Sequence, residues 1–515
     1  PMEFAHVKSG RISRGHRFLC KEDVTIESPE NYKETMRKAF VIVDQDERRD
    51  MIRKGLLAKA EELGGNVWHN ADLLEEINYL VEYPTPLYGR IDEEFLKLPV
   101  PAVVTPMRDH QRYYPVRNED GSLMPYFLTV RNGGTKAIHN VQIGNERVLR
   151  ARLDDAKFFF ENDRKKSLEG HREDLTRINY QEGMGTMLDK ADRLQKLSDF
   201  ICDGWNLSAD EKADAERAAY LSKSDLATGM VTEFTELQGE MGKEYALLDG
   251  EKKNVAQAIF EQYMPRFAGD ILPQESIGRV LSMADKLDNL AATFLRGLIP
   301  TGSQDPFALR RQTIGAVNIL TDGGIHWDIR EGIRKALELL PGEKEAKETA
   351  LGQIEEFFRQ RIKAIMLDEG IAYDIIDAVL AGPVDDIEAL FLKARAMAES
   401  QLKDETDLRQ AVTRLANITK DKEGGAVDPS LFEVEYEKNL QAALDEVKAE
   451  VLPLYKEYQY GKALASLKKL TAPINDYLDN VMVMVDDEKV KANRVSQLIS
   501  ALDLFRAWGD FSKLV

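Results

Sequence analysis

The 515-residue chain has only two cysteines, Cys20 and Cys202, far apart in sequence. Neither a disulfide framework nor a cysteine-rich zinc site can be built from them, and such sparse usage suits a reducing cytosol. None of its seven histidines lies between His171 and His326, and no His-Asp dipeptide occurs anywhere. Metal chemistry that relies on imidazole is therefore poorly supplied over that stretch. No apolar run approaches the roughly 20 residues needed to span a bilayer, and no secretory leader opens the chain, so no membrane contact is expected. Catalytic signatures are missing too: there is no Gly-x-x-x-x-Gly-Lys-Ser/Thr phosphate loop, no Gly-x-Gly-x-x-Gly turn, no Gly-x-Ser-x-Gly elbow and no His-Glu-x-x-His helix. Positive charge is also in deficit. A net charge of −19 excludes a generic polyanion sponge, because non-specific nucleic-acid affinity comes from many phosphate-neutralising Lys and Arg.

What is present describes an ordered chain, with 43% hydrophobic, 31% charged and 8% aromatic residues. Its length exceeds one ordinary core and predicts roughly three or four domains. The chain starts at Pro1 and enters a strand-like pattern at once, which reads as a protein lacking its native N-terminal region. Over 1–160, short β-type runs alternate with Gly/Pro turns, among them Ala102-Val103-Val104-Thr105, Tyr126-Phe127-Leu128-Thr129-Val130 and the turn Asn118-Glu119-Asp120-Gly121. Helical spacing interrupts this α+β block near Asn31 to Phe40 and Glu47 to Leu63. From about Phe158 the pattern is almost purely helical, as in the stripe Met184, Leu188, Ala191, Leu194, Leu197 and Ile201. Breakers cluster at Pro300-Thr301-Gly302-Ser303-Gln304-Asp305-Pro306, Ala381-Gly382-Pro383 and Asp421-Lys422-Glu423-Gly424-Gly425. The last helix carries Val495, Leu498, Leu502 and Phe505 on one side, which reads as a packed core face.

Any nucleic-acid binding must then be local. Basic clusters occur at Arg147, Arg150 and Arg152, at Arg164, Lys165 and Lys166, and at Arg359, Arg361 and Lys363; each reads either as a contact patch or as a solvated helix face. His110 beside Arg108 and Arg112, and His139 near Asn140 and Asn145, read either as phosphate- or ribose-orienting groups or as ordinary surface or core histidines.

A series of blocks in fixed order is more specific. It runs Gly15-His16-Arg17-Phe18, Gly144 to Leu153, Phe158-Phe159-Phe160 with Asp163-Arg164-Lys165-Lys166, Gln181 to Gly185, and Leu221-Ser222-Lys223-Ser224-Asp225-Leu226. It continues with Gln238 to Gly242, Pro265 to Asp270 and Asp305-Pro306-Phe307-Ala308-Leu309-Arg310-Arg311. Together these resemble the β subunit of bacterial heterotetrameric glycyl-tRNA synthetase over nearly the whole chain. Ala472-Pro473-Ile474-Asn475-Asp476-Tyr477-Leu478-Asp479-Asn480-Val481-Met482-Val483-Met484 resembles the signature of DALR-type anticodon-binding helical domains. Ala284-Asp285-Lys286-Leu287-Asp288-Asn289-Leu290 resembles the closing acidic helix of an HD phosphohydrolase domain. Leu221-Ser222-Lys223-Ser224-Asp225 stands about where that domain's His-Asp pair would be expected.

The resemblance implies a multidomain, mainly α protein: an α+β domain similar to the B3/B4 domain of phenylalanyl-tRNA synthetase β chains (1–160), a degenerate HD-like helical domain (161–300), a helical linker region (301–395) and a DALR-like anticodon-binding domain (396–515). It implies an α2β2 assembly in the cytoplasm. The partner α subunit, of class II type, would join glycine to tRNA(Gly) with ATP and Mg, and this chain would bind and position the tRNA. Consistently, neither the His-x-Gly-His and Lys-Met-Ser-Lys-Ser motifs of class I synthetases nor a class II motif set is present. No catalytic, cofactor or metal residue is expected in this chain, and editing is not carried over from the B3/B4 relative. The tRNA-binding candidates are Arg147, Arg150, Arg152, Arg414, Asn417 and Arg494; Asn and Arg suit splayed anticodon bases that can be hydrogen-bonded and stacked. Two alternatives stand beside this reading: an active HD-type phosphohydrolase using Asp225, Asp285 and Asp288 as metal ligands, and a helical scaffold that binds only proteins.

Overall fold

The computed structural model describes residues 2–302, 304–400 and 405–514. It is mainly helical with small antiparallel sheets, and it divides into two compact units: one runs up to Ile178 and adds Leu221–Ala256, the other joins Asn179–Tyr220 to the residues from Gln257 onward. That division runs through 161–300 rather than along its ends. Among the described residues no helix is long and apolar enough to cross a membrane.

The first unit opens with two hairpins, β1 (Glu3–Phe4) with β2 (Val7–Lys8) and β3 (Ile12–Arg14) with β4 (Asp23–Thr25). Four further strands, β5 (Asn66–Val67), β6 (Pro84–Arg90), β7 (Tyr114–Arg117) and β8 (Leu123–Asn132), form an antiparallel sheet in the order β5-β7-β8-β6. Helix α1 (Gln45–Glu62) starts where Asp44 accepts the amides of Asp46 and Glu47. Its Ile52, Leu56 and Ala60, at helical spacing, join Tyr114, Val116 and Leu128 of the sheet and Leu73, Leu74 and Ile77 of α2 (Ala71–Leu80) in one core. Gly55 permits the close approach, since a Cβ there would lie 2.4 Å from Pro86 Cγ of β6.

Tyr126 to Val130 forms part of β8, and Gly121 closes the expected turn at φ +86°. Ala102-Val103-Val104-Thr105 is not a strand. It belongs to the buried helix Val100–Thr105, where Pro101 sits in the first turn, the one helical place that tolerates its missing N–H. Complete burial, rather than sheet pairing, accounts for that apolar run.

The long helix α3 (Ile138–Asp163) ends on a buried carboxylate. Asp163 accepts the amides of Gly229 (2.8 Å) and Met230 (2.9 Å) and the hydroxyl of Tyr245 (2.9 Å). These bonds tie Leu221–Ala256 to the first unit across more than sixty residues of sequence.

The second unit is built around α5 (Ser276–Leu295), buried on nearly every side and packed by α4 (Met187–Gly204), α6 (Leu309–Gly323), α7 (Ile329–Glu338) and α8 (Lys344–Asp368). Thr186 and Asp189 form a capping box at the start of α4, whose Ala191, Leu194, Leu197 and Ile201 are buried as the stripe predicts. Then come α9 (Ile387–Glu399), α10 (Thr406–Thr419), α11 (Glu435–Lys456), α12 (Thr471–Asn480) and α13 (Glu488–Arg506). α10 packs on α13, and α11 on α12. Val495, Leu498, Leu502 and Phe505 of α13 are core residues. The breaker at Pro300 to Pro306 separates α5 from α6, with Ser303 outside the described residues, and Asp421 to Gly425 separates α10 from α11.

Candidate nucleic-acid interface

The acidic helix meets no metal-ready geometry. Lys190 of α4 places its Nζ 3.0 Å from Asp285 Oδ1 and 2.9 Å from Asp288 Oδ2 of α5. Arg193, one turn on, donates from Nε to Asp288 Oδ1 (2.6 Å) and from Nη2 to Asp288 Oδ2 (3.2 Å). Tyr180 adds its ring 4.6 Å beneath the Lys190 ammonium and donates its hydroxyl to Asn289 Oδ1 at 2.8 Å. Burial opposes the charged lysine, but Asp285 and Asp288 outweigh it and hold the Lys190 ammonium above its ordinary range. Protein cations thus supply the positive charge that a divalent ion would bring.

Asp225, the third ligand of the phosphohydrolase alternative, belongs to the other unit, is fully buried and accepts the Gly239 amide at 2.6 Å. Among the described residues no group of three or more His, Cys, Asp or Glu side chains could hold a metal ion. Asp225, Asp285 and Asp288 are therefore structural, and the phosphohydrolase reading is set aside. His110 is likewise held structurally, stacked on Phe234 at 5.6 Å with Glu236 3.6 Å away.

The six tRNA-binding candidates separate by burial. On α3, Arg147 is exposed and has no ion pair among the described residues; Arg150 reaches Asp92 (3.0 Å) and Arg152 reaches Glu233 (3.8 Å). On α10, Arg414 and Asn417 lie three residues apart and share a face. Arg414 meets Asp479 of α12 at 2.7 Å with both side chains half open to water (42% and 62%), a pair of the kind that contributes about 0–1 kcal/mol and yields readily to a phosphate.

Arg494 differs: its side chain is 5% exposed. It donates to Glu437 Oε1 (2.9 Å), Glu433 Oε2 (2.7 Å) and the Met482 carbonyl (3.0 Å), while Glu437 Oε2 also accepts the amides of Glu433 (2.8 Å) and Val434 (2.9 Å). Burial alone would push the Glu437 carboxyl up; the guanidinium and the two amides more than reverse it and hold the group below the usual carboxylate range. The expectation of a nucleic-acid contact at Arg494 is corrected to a buried clip between α11 and α13.

Asn417 lines a cleft of about 730 Å³ together with Lys393, Lys420, Phe505 and Trp508. The Trp508 ring is buried and its Nε1–H has no hydrogen-bond partner; burial lowers the Lys393 ammonium below its ordinary value. The lining thus combines one buried donor without a partner, Trp508 Nε1–H, with Lys393 and Lys420 and with the carboxylates of Asp385 and Asp510. Lys393, Lys420 and Trp508 escaped sequence reasoning because they come from α9, the end of α10 and the turn after α13; only their shared proximity to Asn417 marks them.

Comparison with known proteins shows the family. Residues 1–381 match the family described as glycyl-tRNA synthetase beta subunit, and residues 408–506 match the DALR anticodon binding domain. The chain belongs to the glycyl-tRNA synthetase β-subunit family.

A glycine–tRNA ligase beta subunit of Clostridioides difficile is 45% identical over 508 residues, covering 98% of this chain and 74% of the relative. Those of Desulforamulus reducens and Bacillus subtilis are 42% and 40% identical, covering the whole of this chain and 75% and 74% of the relatives. As a β subunit of an aminoacyl-tRNA synthetase, the chain works in ligation of glycine to tRNA, with an α-subunit partner. Arg414, Asn417 and the Arg494 clip all fall within the DALR match, and Arg147, Arg150 and Arg152 within the β-subunit match.

Proposed function

We propose that this chain grips tRNA(Gly) and orients its acceptor end toward the α subunit, where ATP with Mg and glycine react. The carrying observation is the α10 surface: Arg414 and Asn417 share a solvent-facing face inside the anticodon-binding match, and Asn417 opens onto the cleft lined by Lys393 and Trp508. An unstacked anticodon base can use the Trp508 and Lys393 donors there, while Arg414 exchanges Asp479 for a backbone phosphate. Holding an RNA end against an activated acyl group contributes about 7–11 kcal/mol in well-oriented intramolecular cases without any reacting group from the holder. Asp285 and Asp288, already neutralised by Lys190 and Arg193, do not suit a metal.

In this reading the sheet-bearing N-terminal part is B3/B4-like, the α4–α5 region is a degenerate HD-like scaffold, the residues from 301 to 395 are a helical linker, and the assembly is a cytoplasmic α2β2 heterotetramer. Aminoacylation with purified subunits tests it. Glycylation requires both α and β, and glycyl-tRNA formed by this chain alone overturns the division of labour. Binding of tRNA(Gly) that falls steeply with salt is the second expected result; a complex that shows no tRNA affinity leaves only a protein-binding scaffold.

A further inference from the structure

A second concave surface of the second unit, outside the DALR match, has a charge arrangement that the ligase reading leaves unused. A cleft of about 570 Å³ beside α8 is lined by Arg310, Arg361, Phe357, Gln353, Gln360 and Glu356. Neither Arg310 nor Arg361 has a carboxylate within salt-bridge distance among the described residues. Among the described residues, part-buried Arg48 and Arg131 also lack a carboxylate partner and bond backbone carbonyls instead; Arg310 and Arg361 differ in lining one cleft together.

Arg361 lies over the Phe357 ring at 4.5 Å and donates only to Gln360 Oε1 (3.0 Å); Arg310 donates to the Gly302 carbonyl (2.7 Å). The nearby acids are turned elsewhere. Asp305 accepts the amides of Leu309 (2.8 Å) and Arg310 (2.9 Å) at the start of α6, and Glu356 meets Arg359 at 3.3 Å. Burial, and then repulsion from Arg310, hold the Arg361 guanidinium below its ordinary value, against a smaller opposing pull from Asp305. Two like charges that share a concavity, with Asp305 and Glu356 nearby but neither in ion-pair contact with them, leave room for an anion. Their fork-shaped donors fit a tetrahedral phosphate, and the Phe357 ring holds one fork in place.

We propose that Arg310 and Arg361 together clamp one backbone phosphate of the bound tRNA, a contact separate from the anticodon-binding helices. The proposal rests on the tRNA-binding reading above. Arg310 belongs to the Asp305-Pro306-Phe307-Ala308-Leu309-Arg310-Arg311 block; Asp305 sets the helix start, which aims the arginine.

The test measures tRNA(Gly) affinity of the reconstituted α–β complex against salt for the wild type, Arg310→Gln, Arg361→Gln, the double variant and Lys363→Gln. Lys363 serves as a control because it belongs to the same helix as Arg361 but does not line the cleft. Each arginine variant is expected to bind about tenfold more weakly and to lower the slope of log affinity against log salt by about 0.7–0.9, with the double variant losing less than the product of the two. Lys363→Gln keeps the wild-type slope.

Thermal melting separates binding from folding. Removing one of two repelling charges leaves the midpoint of Arg361→Gln unchanged or raised, whereas a midpoint lowered together with the affinity would mark a structural arginine and overturn the proposal. Unchanged affinity and slope in both variants, with a wild type that binds tRNA, overturn the clamp and leave the tRNA reading standing; a wild type without tRNA affinity overturns both. Saturable binding of inorganic phosphate that Arg310→Gln abolishes, with tRNA affinity intact, reassigns the pair to a free phosphate and overturns the RNA assignment.

Discussion

Arg414 and Arg494 lie in the same matched domain, carry the same group and pair with acids at similar distances, Asp479 at 2.7 Å and Glu437 at 2.9 Å, yet their surroundings differ. At the α10 surface water competes for both partners, so the Arg414–Asp479 pair is cheap to open and its value lies in what can replace the aspartate. At the α11–α13 seam water is excluded, and Arg494 with Glu437 can neither separate nor be replaced without stranding a buried charge. The Lys190, Arg193, Asp285 and Asp288 network repeats the lesson in the α4–α5 core. A paired charge reports a role only once its exposure is known.

The sharpest way to break the comparison is to strand a charge on each side. Lys190→Met leaves Asp285 and Asp288 with too little positive charge, and Arg494→Met leaves Glu437 alone; each is expected to cost about 3–5 kcal/mol in urea unfolding. A loss below about 1 kcal/mol in both would place these networks in the same class as the surface pair. Arg414→Glu should do the opposite, weakening tRNA(Gly) binding by about tenfold or more while shifting stability by no more than about 0.5 kcal/mol. If its melting midpoint falls as far as that of Arg494→Met, the distinction collapses.

A smaller effect comes from pH. The Glu437 carboxyl is held below its unfolded value of 4.5, so its contribution is complete above that value and is lost as pH falls through the lower folded value. The unfolding midpoint should therefore rise with pH across the region just below 4.5, and Arg494→Met should flatten that rise. A variant with the wild-type slope would assign it to other carboxylates. Asn417→Ala is the mildest, with a few-fold loss of tRNA affinity and an unchanged melting midpoint, as expected for one hydrogen bond of about 0.5–1.5 kcal/mol.

Much of this was legible without coordinates where the code is local. The turn at Asn118 to Gly121, the helix expected near Glu47 to Leu63 and found over Gln45–Glu62, and the apolar stripe of α4 follow from residue spacing and turn chemistry. Ala102 to Thr105 misled because a short β-branched apolar run reads the same in a buried helix as in a strand, and only the flanking prolines tell them apart. For the candidate site, residue type alone suggested Arg414, Asn417 and Arg494 alike, and one face of α13 cannot be told from another until α11 brings Glu437 against it.

By itself the chain's order of residues determined its family membership, its helical character and the poverty of metal ligands, since motif order, periodicity and composition are written along one dimension. Only the folded arrangement decided which charges are free. Lys190 meets Asp288 across 98 positions and Arg494 meets Glu437 across 57, while Arg310 and Arg361 line one cleft with no carboxylate in ion-pair contact among the described residues. Pairing energy depends on distance and on exclusion of water, and neither is a property of residues taken singly.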